Sequence, residues 1–395
     1  MEFLGYERPD GKVGVRNTVL VIAVCDCGEP AAQQMVKGIE GAVAVTQYHG
    51  CIAIETVPTL VGVAVNPNIF GTVLVPMGCE GLRAQPIADA IAESGKPVEI
   101  VDIQAIGSTR GAIAKGREIV QRMVSEAAKQ QRKPFDISKL AVAVKCGGSD
   151  TTSGIAANPA IGIMSDMMVD AGARVVMIEP IEAIGAEEEL ANRAVNDKVR
   201  KDILHWVGDE EKRWTVPGAG VDFMCGGNVK GGLTTLEEKS LGAVHKSGHR
   251  PISGVLQATT DRVDRLPEQG GFYLMGGIHI ELQAMTYQAA AGANIIVFAT
   301  GRGGSFGHAI SPIVKVTGHP ETWARMGEDM DINASTIMEG TESIESVGKR
   351  IFDEVLAVAS GKITKGEELG FHNFNVWRHD PRLEVLLGME GGDKK

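Results

Sequence analysis

At 395 residues, with 44% hydrophobic and 23% charged content, the chain is long enough for two domains and ordinary in composition for a globular protein. A net charge of −11 excludes a general nucleic-acid or membrane-surface role, so an anionic ligand must be held by local Lys, Arg and helix termini against the overall field. Six cysteines in a chain this long do not make a secreted disulfide scaffold, no basic-plus-apolar leader is visible, and no apolar run approaches the ~20 residues of a membrane span, which together predict a cytoplasmic location.

The chain opens with a short run that turns at Pro9-Asp10-Gly11, where Pro presets φ and Gly tolerates a positive φ, and a hairpin over residues 3–16 follows. Residues 18–24 read as the first buried strand, ending at Cys25-Asp26-Cys27-Gly28, with a helix over 30–39. The pattern then recurs. A strand at 42–45 leads to Tyr48-His49-Gly50-Cys51 and a helix to about 65; a strand at 72–75 leads to Gly78-Cys79-Glu80-Gly81 and a helix over 85–94. A strand at 98–101 precedes a long helix to about 128. Strands alternating with helices indicate βαβ units and a parallel sheet. The polar run 130–139 is read as the boundary between a first domain, 1–133, and a second, 134–395.

In the second domain the apolar run 140–144 feeds into Lys145-Cys146-Gly147-Gly148-Ser149-Asp150. Asn158 is expected to cap the next helix, with Pro159 as its first residue. A strand over 174–178 ends at Glu179-Pro180, a helix follows over 185–206, and 208–221 reads as an irregular surface excursion. Strands are expected at 252–256, 294–299 and 313–316, with helices at 281–291 and 343–360 and a frayed tail from 390.

Cys27, Cys51, Cys79 and Cys146 each fall just after a predicted strand. Parallel strands of one sheet share their carboxyl edge, which is where ligands sit in open α/β sheets. A lone buried Cys is usually a small hydrophobe, but four at equivalent positions point to metal binding or catalysis. Thiolates bind soft or borderline metals, and His49, Glu80 and Asp150 are available to complete an iron site, although no ferredoxin-like or zinc-ribbon spacing is present. Ser149 and Asp150 add a hydroxyl and a carboxylate beside Cys146.

The densest stretch is Gly226-Gly227-Asn228-Val229-Lys230-Gly231-Gly232-Leu233-Thr234-Thr235-Leu236-Glu237-Glu238. Thr234 with Glu237, or Thr235 with Glu238, fits a capping box, and glycines before a helix leave N–H groups to cradle an anion. Lys230 at that mouth is a candidate for carboxylate recognition or for general base. The loop Thr300-Gly301-Arg302-Gly303-Gly304-Ser305-Phe306-Gly307-His308 is not a dinucleotide fingerprint, and Arg302 is suited to a bidentate carboxylate or sulfonate contact. His279 and His308 are acid/base candidates.

Gly5-Tyr6-x-Arg8-x-Asp10-Gly11-x-Val13-Gly14-Val15-Arg16-Asn17, Gly50-Cys51, Gly78-Cys79-Glu80, Cys146-Gly147-Gly148-Ser149-Asp150 with Asn158-Pro159, and 231–242 resemble, in order, the altronate/galactarate dehydratase family. The resemblance implies an α/β fold, with a Rossmann-like parallel-sheet N-terminal domain followed by a larger α/β domain. It also implies iron-dependent elimination of a β-substituent, sulfite or water, from a small 2-hydroxy-carboxylate. The shared pattern begins almost at Met1, an organisation like that of the large subunit of a sulfolactate sulfo-lyase, whose small domain is a separate chain. A large subunit of a sugar-acid dehydratase and a regulatory subunit holding metal only for structure are the alternatives.

The resulting expectations are definite. Lys230, His49, Asp150 and His308 are the catalytic candidates, and Ser149, Asn228, Thr234, Thr235 and Arg302 bind substrate. Cys27, Cys51, Cys79, Glu80 and Cys146 hold Fe2+, with an iron–sulfur cluster or Mn2+ as alternatives. The expected partners are a small anionic substrate and a separate small subunit of about 100 residues, in an oligomer, with no nucleic acid and no membrane.

Overall fold

The computed structural model describes residues 1–178, 180–215, 224–259, 261–276 and 281–377. The expectations placed on Glu179, on 216–221, on His279 and on the tail from 390 lie outside the described residues.

The strands, in chain order, are β1 (Glu2–Glu7), β2 (Val13–Gly14), β3 (Thr18–Ala23), β4 (Ala42–Thr46), β5 (Ile69–Val75), β6 (Val98–Ile100), β7 (Lys133–Asp136), β8 (Ala141–Cys146), β9 (Arg174–Ile178), β10 (Ile252–Leu256), β11 (Ala258–Thr259), β12 (Arg262–Val263), β13 (Gly271–Met275), β14 (Ile295–Ala299), β15 (Ile313–Thr317) and β16 (Ile332–Asn333). They form a mixed α/β architecture around two parallel sheets. One has the order β4-β3-β5-β6 and the other β10-β13-β9-β8-β14-β15-β16, every pairing in both being parallel. In each, the first strand of the sheet lies inside and its neighbours flank it. The crevice at the strands' carboxyl ends therefore opens at a switch in strand order.

The strands alternate faces as buried parallel strands do. Leu20 and Ile22 of β3 point to one core and Val19, Val21 and Ala23 to the other. Helices Glu29–Val36 and Thr109–Ala127 cover the second face, and Val57–Ala64 and Ala84–Ala92 the first. Helix Glu281–Ala291 fills the space between the two sheets. Its Ala284, Met285 and Tyr287 pack on the larger sheet with Tyr273 and Phe298, while Ala289 and Ala290 pack against Leu60 and Val63. The approach is close enough that a Cβ on Gly62 would sit 2.8 Å from the Ala290 Cβ. The outer face of the larger sheet is covered by helices Asn158–Asp170, Asp197–Trp214, Leu236–Val244 and Ile344–Ala359.

Three local expectations are corrected. The polar run 130–139 is not only a connection: its β7 pairs antiparallel with β1, so the N-terminal hairpin of β1 and β2 is tied to the start of the second half. The helix expected over 185–206 is broken into Glu187–Ala191 and Asp197–Trp214, because Asn196 caps a new start by accepting from the Val199 N–H at 3.0 Å. That second helix runs through the first part of the expected excursion. Asn158 does not cap. It is already helical, after a π-helical turn at Ser153–Ala157, and its Nδ2 donates to the Gly242 carbonyl at 2.9 Å. Strand β13, between β10 and β9, is an addition to the expected set.

The two sheets are joined through buried amides. Asn68 Oδ1 accepts from the Val15 N–H at 2.9 Å, and its Nδ2 donates to the carbonyls of Asn294 at 2.8 Å and Ile310 at 3.0 Å. Asn68→Ala should therefore leave a donor and two acceptors unpaired in the interior, at about 1–3 kcal/mol each. A fall in unfolding free energy of about 3 kcal/mol or more is expected in urea denaturation.

Candidate functional site

Because β3, β4 and β5 are parallel, Cys25 and Cys27 after β3, Cys51 after β4 and Cys79 after β5 all emerge on one edge. The Sγ atoms of Cys25, Cys27 and Cys51 lie within 4.8 Å of one another. Cys25 is buried, Cys51 half-buried and Cys27 exposed, and none is in a disulfide. Glu80 reaches the same rim, with Oε2 at 4.0 Å from Cys25 Sγ while accepting from the Gly78 N–H at 2.9 Å. Burial, helped by the charge of Glu80, pushes the Cys25 thiol up to about 11, and loss of water together with the nearby Cys27 and Cys79 raises Cys51. Converging thiols suit a cation, whose binding displaces thiol protons. Spacing after the strand singles out Cys27 of Cys25-Asp26-Cys27 and passes over Cys25. The 3₁₀ turn Asp26–Gly28 brings both sulfurs round.

His49 sits on the same loop as Cys51 with its ring half-buried. Its Nε2 donates to the Val376 carbonyl at 2.5 Å and its N–H to Gln47 Oε1 at 2.5 Å. That ring nitrogen is thereby used to dock the C-terminal segment.

Cys146 does not join the other thiols. It ends β8, in the larger sheet, where its Sγ lies 3.0 Å from both oxygens of Glu182 and 3.0 Å from Lys246 Nζ. Lys246 Nζ also donates to Glu182 Oε2 at 2.5 Å, and all three side chains are buried. Ser149 Oγ is 3.7 Å from the same sulfur, and the ammonium of the buried Lys145 donates to the Cys146 carbonyl at 2.5 Å. Lys246 lies 100 residues from Cys146, on a 3₁₀ turn at the end of helix Leu236–Val244, so no local spacing announces the cluster.

The loop after Cys146 is built by its neighbours at the switch in strand order. Gly147 N–H donates to the Ala299 carbonyl and Gly301 N–H to the Gly148 carbonyl, both at 3.0 Å. Asp150 is buried: Oδ1 accepts from the Ser153 N–H at 2.9 Å and from Thr152 Oγ1 at 2.7 Å, as an N-cap does. Its Oδ2 has no hydrogen-bond partner among the described residues and faces His319 Nε2 at 3.9 Å. A Cβ on Gly301 would lie 2.1 Å from the Asp150 carboxyl carbon, so only glycine lets β14 and β8 close at this point. Asn228 Nδ2 donates to the Ser149 carbonyl at 2.8 Å, and the Gly231 carbonyl accepts from the Thr151 N–H at 3.1 Å. Two exposed cations stand beside the loop among the described residues, Lys230 next to Gly231 and Arg302, whose stem lies along Gly148. Thr235 caps helix Leu236–Val244, and Glu238 Oε2 accepts from Thr234 N at 2.7 Å and from Thr234 Oγ1 at 2.6 Å, so both threonines are engaged in capping.

His308 is buried in the core. Its Nδ1 accepts from the Ile310 and Ser311 N–H groups at 3.3 Å, which puts the ring proton on Nε2, 3.2 Å from Thr286 Oγ1. Burial drives its pKa down to about 3. The ring is a neutral structural link in this geometry.

Two family profiles match the chain. One described as D-galactarate dehydratase/Altronate hydrolase, second domain, matches residues 5–128, and one described as D-galactarate/Altronate dehydratase, C-terminal, matches residues 137–381. The chain is 33% identical over 388 residues to the (2R)-sulfolactate sulfo-lyase subunit beta of Chromohalobacter salexigens, covering 95% of this chain and 97% of that protein. It is 33% identical to the galactarate dehydratase (L-threo-forming) of Escherichia coli K12, covering 94% and 75%, and 28% identical to the altronate dehydratase of Bacillus subtilis, covering 95% and 77%.

Two outcomes are expected from this geometry. Lys246→Met should leave Glu182 without its ammonium partner and cost about 3–5 kcal/mol, read from the urea midpoint, with part of the loss recovered when Glu182→Gln is added. His308 carries a folded pKa of about 3 against an unfolded value of about 6.5, so its contribution is complete above pH 6.5 and is lost as pH falls toward 3. His308→Gln should accordingly reduce the slope of stability against pH by about 1.4 kcal/mol per unit between pH 6 and 4, measured against the parent protein.

Proposed function

The chain belongs to the galactarate/altronate dehydratase family, and from that premise we propose that it is a lyase removing a β-substituent from a small 2-hydroxy-carboxylate, with sulfite as the leaving group. The observation that carries the reading is the reach of the similarity. It spans nearly the whole of a sulfo-lyase subunit and the greater part of two dehydratases, proteins whose names all denote eliminations. Release of water from a sugar acid is the second reading, favoured by the same matches.

The α-proton of a hydroxy acid is weakly acidic, so its removal needs a base and a means of holding the charge that develops on the carboxylate. Lys230 is our candidate for the base, since His49 Nε2 is committed to Val376 and His308 is sealed in the core. Arg302 binds an anionic end of the substrate in bidentate fashion. In a chain of net charge −11, two exposed cations at a sheet's carboxyl edge make a local exception that an anion can use. Asn228 Nδ2 on the Ser149 carbonyl ties the short helix Gly226–Lys230 to the loop after Cys146, and Asp150 caps the turn that follows it.

Iron is our proposed cofactor, held by the thiol rim of the smaller, Rossmann-like sheet. When bound it would supply a Lewis acid. The thiols fit such an ion in number and spacing, with Glu80 beside them. We further infer a reducing, cytoplasmic setting, consistent with six cysteines of which none forms a disulfide, and an assembly with a separate small subunit, in keeping with likeness to a protein named subunit beta.

The reading is tested by supplying the iron-loaded protein with sulfolactate, galactarate and altronate and measuring sulfite and 2-keto acid. Sulfite with equimolar keto acid is expected from sulfolactate; keto acid only from the sugar acids would replace the first reading by the second, and no product from any would end both. With the active substrate, Lys230→Met should lower kcat by about 10²-fold or more, and Arg302→Ala should act chiefly on KM.

A further inference from the structure

The geometry points to a site for one borderline or soft divalent cation ligated by three thiolates, those of Cys25, Cys27 and Cys51. This rests on the reading that the thiol rim binds metal and goes beyond it in nuclearity, ligand set and ion class.

The argument is one of reach. A thiolate binds an ion such as zinc at about 2.3 Å, so three thiolates sharing one ion lie about 3.8–4.0 Å from one another. The three sulfurs all lie within 4.8 Å of one another, so movements of about 1 Å or less would close them onto one centre. In a four-iron cluster each cysteine caps a different iron. Any two sulfurs are then separated by two metal–sulfur bonds and a metal–metal span, which exceeds the observed limit.

The chain also explains why these three and not others. Cys25 is extended at the end of β3, and the 3₁₀ turn that follows closes with the Gly28 N–H on the Cys25 carbonyl at 3.0 Å, folding Cys27 back toward it. Cys51 is brought in from the β4 side, where its carbonyl accepts from the Gly81 N–H at 2.8 Å. That bond ties the Cys51 loop to the one carrying Cys79 and Glu80. Cys79 is exposed and outside the close group, and Cys146 is held by Glu182 and Lys246. Glu80 Oε2, 4.0 Å from Cys25 Sγ, offers an oxygen donor beside the three sulfurs. Three thiolates with one oxygen select Fe2+, Zn2+ or Co2+ over Mg2+, Ca2+ and Mn2+.

The test uses the full chain, handled anaerobically, stripped by chelator and titrated with Co2+, whose thiolate charge-transfer absorption in the near ultraviolet scales with the number of sulfurs bound. The parent should saturate at one Co2+ per chain. Cys25→Ser and Cys51→Ser should each lose about one third of that intensity and bind at least about tenfold more weakly, whereas Cys79→Ser and Cys146→Ser keep it. Cys51→Ser, at a half-buried position, keeps the test open if the buried hydroxyl introduced by Cys25→Ser prevents folding, and circular dichroism verifies each protein. Metal analysis of the isolated chain should find iron or zinc without acid-labile sulfide. Sulfide in proportion to iron, manganese as the resident ion, an intensity loss in Cys79→Ser instead of Cys51→Ser, or no thiolate band at all would each overturn the assignment. The spectrum is read without substrate, so a failure of turnover would sink the substrate reading and leave this one standing.

Discussion

Three buried asparagines hold the molecule together as one object. Asn68 joins the loop before β3 to the carbonyls of Asn294 and Ile310, and Asn294 in turn donates to the Val13 carbonyl at 2.9 Å and accepts from the Ala141 N–H at 2.9 Å. Asn66 Nδ2 donates to the carbonyls of Ala289 at 2.7 Å and Ala293 at 3.0 Å, at the end of the helix between the sheets. Each amide offers two donors and two acceptor lone pairs, so a few of them can satisfy many backbone groups where two sheets meet out of register. In a dry interior an unpaired group is costly, and a network of this kind therefore fixes a single relative placement.

That placement lets each sheet carry chemistry at its own carboxyl edge. In both, the first strand lies inside, so the loops that follow it and its neighbours crowd one crevice. The smaller sheet fills its crevice with sulfur and Glu80. The larger lines its own with Asp150, Arg302, His319 and the short helix Gly226–Lys230, beside a buried trio of Cys146, Glu182 and Lys246. The two sets of cysteines differ in electrostatics as well as position. Burial first, and then neighbouring thiols and Glu80, raise Cys25 and Cys51, whereas Cys146 has both an ammonium and a carboxylate at 3.0 Å. A single site using all of the cysteines does not exist in this fold.

The residues that sequence reasoning finds and misses follow one rule. For positions just after a strand the sheet edge is legible, because a parallel sheet places them on a known side, as with Cys27, Cys51, Cys79, Glu80 and Arg302. Cys25 lies two residues from Cys27, and its side is set by a 3₁₀ turn with no strong signature. Lys246 follows a helix, and Glu182 and His319 follow strands without a motif to single them out, so these three enter only through packing. β13 escapes notice although Gly271–Met275 is an apolar run between glycines, since a strand inserted between β10 and β9 leaves no trace in sequence order.

The amino-acid sequence alone determined the alternation of strands and helices, the parallel sense of the first sheet, the family and the chemical character of the loops, because hydrophobic period and glycine-rich turns are local properties. Only the tertiary structure decided that the cysteines divide between two sheets, that Asp150 and His308 serve as a cap and a core link, and that Lys246 pairs with Cys146. Those outcomes depend on strand order and on which helix end reaches which crevice. They are settled by the packing of segments distant in the chain, for which no neighbouring residue carries the information.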